Sequence, residues 1–174
     1  MSSYIWLFPL IFIFHDMEEI IGFGIFLKRN KTFLQKKYPW AIAPYKDFST
    51  EGLSLAVFEE LVLCIVFCFI ISITSNEIIS YLWLGGFIGC TLHFVIHIVQ
   101  SIIIRKYIPA LITSIICLPV SICIIVKCID TITGSMLMPV TFMIAGIVIA
   151  ALNLKTAQKM IGWFTRKMSI TPII

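Results

Sequence analysis

Apolar residues run along this chain in five long blocks, roughly Tyr4–Leu27, Gly52–Ile73, Ser80–Ile104, Ile108–Val126 and Leu137–Leu154. Each block is close to the ~20 residues with which an α-helix crosses a ~30 Å hydrocarbon core. Pro109, Pro119 and Pro139 stand where they start or kink a helix. The pattern predicts an all-α polytopic membrane protein. A bundle of five transmembrane helices occupies residues 1–154, and a short basic amphipathic tail occupies residues 155–174.

Composition points the same way. The chain is 60% hydrophobic and 13% charged, too apolar for a water-soluble fold of this size to hide. No basic residue precedes the first apolar block, so that block reads as a span and not as a cleaved signal. The six cysteines form no C-x-x-C pair and read as small buried hydrophobes.

The basic residues sort by side. Lys28, Arg29, Lys31, Lys36, Lys37 and Lys46 follow the first block, Arg105 and Lys106 the third, and Lys155, Lys159, Arg166 and Lys167 the fifth. If five spans alternate across the bilayer, twelve of the thirteen Lys and Arg share one face and only Lys127 lies opposite. The positive-inside rule makes that face cytoplasmic, with the N-terminus outside and the C-terminus inside. No separate basic domain exists, so nucleic acid is not an expected partner. Tyr38, Trp40, Tyr45 and Phe48 among the lysines suit the headgroup layer. Met160, Ile161, Trp163 and Phe164 form the apolar side of the tail.

Ionisable residues within the apolar blocks are the exception that needs chemistry. Of nine acidic residues, five fall inside spans: Asp16, Glu18, Glu19, Glu59 and Glu60. All three histidines, His15, His93 and His97, do as well. An acidic side chain at a bilayer centre costs about 2.5–3.5 kcal/mol, so five left alone cost roughly 12–17 kcal/mol. They must be paired, protonated, hydrated or bound to a cation.

Spacing and depth gather them. His15, Glu18 and Glu19 stand at i, i+3 and i+4 on the first helix, and His93 and His97 at i and i+4 on the third. Counting 1.5 Å per residue from each cytoplasmic end places all seven candidates about 10–18 Å deep. Gly85, Gly89, His93 and His97 form one i, i+4 stripe, and Gly22 extends the stripe of His15. Small residues let membrane helices approach closely, so the stripe is expected to face the bundle and carry the histidines inward.

His15, Glu18, Glu19, Glu59, Glu60, His93 and His97 are therefore the expected ligands of one or two divalent ions, with Glu19 or Glu60 as proton acceptor. Glu and His facing inward in a bundle build such sites. Zinc is the first expectation and implies hydrolysis; iron or manganese also accepts these ligands, and iron implies oxygen chemistry. The substrate should be amphiphilic (a lipid, a prenyl chain or a lipidated peptide) because the site is walled by the bilayer. Metal-free Glu/His acid–base catalysis, a proton or cation pathway, and a purely structural polar network are the alternatives. Asp16 reads as a partner behind the ligands or in helix packing, and Gln100 and Asn153 as packing or hydrogen-bond residues.

The order H-D-M-E-E (His15, Glu18, Glu19), then F-E-E (Glu59, Glu60), then H-F-V-I-H (His93, His97) resembles the HXXEE family of small bacterial membrane proteins. The resemblance implies a shared intramembrane site and a place in a bacterial plasma membrane; it carries no reaction. Two peptidase groups are similar in part only. Glu19 stands where the zinc motif H-x-x-E-H has its second histidine, and Phe23 where intramembrane CAAX-type proteases carry arginine.

Overall fold

The computed structural model describes residues 2–173, and among these every regular element is helical. The helices are α1 (Leu7–Lys37), α2 (Pro39–Ile42), α3 (Thr50–Thr74), α4 (Glu77–Ile104), α5 (Leu111–Ile129) and α6 (Leu137–Lys167). Four of them, α3 to α6, are long and apolar enough to cross a membrane, which makes the chain a membrane protein. The remaining long helix, α1, carries Asp16, Glu18 and Glu19 within its apolar stretch.

Local chemistry sets the boundaries. Ser49 caps α3 by accepting from the Gly52 amide at 3.0 Å, and Asn76 caps α4 by accepting from the Ile79 amide at 3.1 Å. Ser75 and Arg105 close α3 and α4 in the left-handed region, at φ 49° and 55°. Helix α1 runs past the expected end at Leu27 because no breaker intervenes before Pro39. Its lysines are therefore helical. The basic stretch from Lys155 likewise continues α6 without interruption.

That end of α6 is held against the protein. Thr165 and Ser49 share a hydrogen bond of 2.7 Å, Arg166 pairs with Asp47, and the Ile173 amide donates to Phe48 O at 2.9 Å. Ile161 is buried, whereas Trp163 on the same turn is exposed.

Helix α4 packs closely on α6 and α5, and α3 lies between α6 and α1. The α4–α6 crossing depends on two glycines. A Cβ on Gly85 would strike Met143 O, and one on Gly146 would strike Leu82 O. Gly22 meets the α4–α5 turn instead, where an added Cβ would lie 2.8 Å from Pro109 Cβ.

This corrects the expectation of a single glycine–histidine stripe. Residues four apart drift by about 40° around a helix, so Gly85 and His97 differ by about 120°. The glycines face α6, and the histidines face α1. Between α1 and α4 the backbones do not approach closely. Side-chain rings fill the gap. Phe8 lies against Phe87 and Trp83, with centroids 5.1 and 6.0 Å away, and the histidines lie further along.

Candidate metal centre

Four side chains converge in that gap. His15 and Glu19 come from successive turns of α1, and His93 and His97 from successive turns of α4. One ligand atom from each lies within 4.8 Å of all the others. His97 Nε2 is 2.8 Å from His93 Nε2 and 2.8 Å from Glu19 Oε1, while His93 Nε2 is 3.9 Å from Glu19 Oε1. The His15 ring completes the group, with its centroid 5.2 Å from that of His97 and 5.7 Å from that of His93. Phe94 backs it at 4.5 Å.

Proton accounting shows what the cluster lacks. A single hydrogen on His97 Nε2 cannot point at both neighbours, so one of the two short approaches has no proton along it. His15 is 1% exposed, and its Nε2 has no hydrogen-bond partner. Buried polar atoms are nearly always satisfied, and an orphan calls for a reason. A cation among these atoms would supply one, since it accepts lone pairs from every side at once. Imidazole and carboxylate are the donor set that zinc, iron and manganese take.

A family model described as "Protein of unknown function with HXXEE motif" matches residues 6–124, from α1 into α5, and so spans all four residues. The chain belongs to the HXXEE family. No curated protein and no solved structure matches it.

Within this HXXEE protein the motif divides. His15 and Glu19, four apart, face α4, while Glu18 turns to α5. There Glu18 accepts from Tyr107 Oη at 2.5 Å, from the amides of Ile112 and Thr113 at 3.3 and 2.7 Å, and from Thr113 Oγ1 at 2.6 Å. Glu18 is thus placed away from the expected ligand set. Adjacent residues on a helix point about 100° apart, so Glu18 and Glu19 serve different neighbours.

The α3 carboxylates also stand outside the group of four. Glu59 Oε2 accepts from Asn153 Nδ2 at 3.4 Å, and the same amide faces Glu60. Glu60 lies within electrostatic reach of Glu19 and Asp16. The expected meeting of α1 with α4 is seen in the group of four, whereas on α3 Glu59 meets Asn153 of α6 and Glu60 lies between that amide and the acids of α1. The signal for this was present, since Asn153 is an amide on a lipid-embedded helix opposite two acids. Asp16 is 5% exposed, with Oδ1 3.9 Å from His15 Nε2, too far for a hydrogen bond.

Of two tyrosines outside the spans that bear on the acids, Tyr107 was not singled out in the sequence and Tyr45 was read only as a headgroup-layer aromatic. The Tyr45 ring lies against Phe23 and Phe48. Burial and the charge of Glu19 push its phenol up to about 12. Burial and the bond to Glu18 push the Tyr107 phenol up to about 12 as well, so it remains a donor at neutral pH.

Proposed function

We propose that the chain is a membrane-embedded metalloenzyme that uses His15, Glu19, His93 and His97 to hold a divalent ion, zinc in the first instance, for hydrolysis of an amphiphilic substrate. The observation that carries this reading is the convergence of three imidazoles and one carboxylate within 4.8 Å, with His15 Nε2 buried and unpartnered. Such an ion would also balance the carboxylates of Glu19 and Asp16. When bound, it would supply a water of lowered pKa as nucleophile. Glu60, near Glu19 but outside the four, is the side chain suited to take up that water's proton.

The reading includes five spans in a bacterial plasma membrane. Leu10, Phe14, Met17, Ile21 and Ile25 form an exposed apolar stripe on α1 for lipid to meet, while Asp16 is buried and Glu18 and Glu19 are half-buried against α5 and α4. The basic ends of α1, α4 and α6 then mark the cytoplasmic side.

An open surface groove of about 560 Å³ lies between α4 and α5; none of the four residues lines it, and it meets the site only through Tyr107, the partner of Glu18. Its walls include Ile98, Ile102, Leu111 and Ile115, and it ends at Arg105, Lys106 and Tyr107. A chain suits the walls, and an anionic head suits the basic end.

The test is elemental analysis of protein purified in mild detergent. One divalent ion per chain is expected, removed by chelator and absent in His15→Ala. Wild-type protein that neither retains nor takes up zinc, iron or manganese overturns the reading. It would leave the 2.8 Å Glu19–His97 pair as a metal-free acid–base couple.

A further inference from the structure

Helix α5 contributes no residue to the group of four, yet it touches that group through one hydroxyl. Thr113 Oγ1 lies 2.6 Å from Glu18 Oε2, 3.2 Å from His15 Nδ1 and 3.3 Å from Ala110 O. We infer that Glu18 and Thr113 are positioning residues: they fix His15 in the Nδ1–H tautomer and leave the Nε2 lone pair free for the ion. The inference rests on the metal reading above for its purpose, but not for its geometry.

The argument follows a single proton. The threonine hydroxyl has one hydrogen to give and lone pairs to receive with. An ionised carboxylate only accepts, and the charge-assisted 2.6 Å contact is the shortest available, so the hydroxyl donates to Glu18. Toward His15 the hydroxyl can then only accept, which requires the hydrogen on Nδ1. Nε2 is left bare. It is the same atom that is buried without a partner.

Glu18 is itself held in place. Helix α5 begins after Ala110, at φ 81°, and has no side-chain cap of its own. Glu18 supplies that cap from another helix by accepting the Ile112 and Thr113 amides. The partial positive charge of the helix start favours its ionised form. Tyr107 closes the other oxygen. The chain of control therefore runs from the first turn of α5 through Glu18 and Thr113 to the ring of His15. Groups of this kind, behind a ligating histidine, orient it and raise its basicity.

The experiment compares wild type with Thr113→Val, which keeps shape and loses the hydroxyl, and with Thr113→Ser, which restores it. Thr113→Ala stands in should the valine variant not fold. Two properties are read in lipid nanodiscs: the His15 tautomer, by nitrogen-15 NMR of metal-free protein, and zinc affinity, by competition with a chromophoric chelator. Wild type and Thr113→Ser should show Nδ1–H. Thr113→Val should lose that preference and weaken zinc about 10–100-fold. Nε2–H in wild type, or Nδ1–H together with unchanged zinc affinity in Thr113→Val, overturns the inference. A wild type that binds no zinc but shows a Thr113-dependent Nδ1–H defeats the metal reading and upholds the relay.

Discussion

At the scale of single residues, carboxylates of one expected ligand set meet different partners. Glu19 lies 2.8 Å from His97 Nε2, whereas Glu59 is bonded to Asn153 on another helix. Glu19→Gln removes an anionic donor and should weaken zinc at least ~10-fold, while Glu59→Gln should leave affinity near wild type. Equal losses in the two variants, measured by the same chelator competition, would return α3 to the ligand set. Glu18 and Glu19 divide as well, and the i, i+3, i+4 spacing left that open, because both lie within about one turn of His15. What separates them is the partner each meets. Thr113 and the start of α5 are distant in sequence, and nothing near Thr113 marks it as a receptor for Glu18.

At the scale of elements, the α4–α6 crossing sets how α4 is rotated, and so where its histidines point. Gly85 and Gly146 meet backbone oxygens rather than side chains, so an added methyl has nothing flexible to displace. Gly146→Ala should lower stability by about 1–3 kcal/mol. Gly86→Ala, whose Cβ would find only Phe8 at 3.7 Å, should be close to neutral. Thermal unfolding in detergent, followed by circular dichroism, separates the two; equal midpoints would show that the crossing tolerates a wider spacing. The existence of each long helix was plain from hydropathy, since runs of apolar residues this long have few other uses. Rotation about the helix axis was not. It depends on a 40° drift that a four-residue stripe conceals, and on which neighbour a small residue happens to meet.

At the scale of the molecule, charge decides how the bundle sits. If five spans alternate and twelve of thirteen Lys and Arg share one face, a C-terminal green fluorescent protein fusion should fluoresce, and a C-terminal alkaline phosphatase fusion should be inactive. The reverse pattern would sink both the five-span count and the proposed orientation. Distance along each helix was legible from the sequence because rise per residue is constant, and the α1 and α4 residues expected at one level do meet. Glu59 and Glu60 share that level but meet Asn153, because depth alone does not say which neighbour a side chain reaches.

The ring-filled gap between α1 and α4 has a mechanical consequence. At the level of Phe8, Trp83 and Phe87 the joint is greasy and permanent. At the level of His15, His93 and His97 it is polar: one hydrogen on His97 Nε2 serves either Glu19 or His93, and the other approach is left for something positive to clasp. An ion there would work as a rivet, added to the apolar hold between the two helices. Chelation should loosen this joint before any other part of the bundle. Amide exchange along α1 and α4 would register that loosening, while the α4–α6 crossing stayed shut.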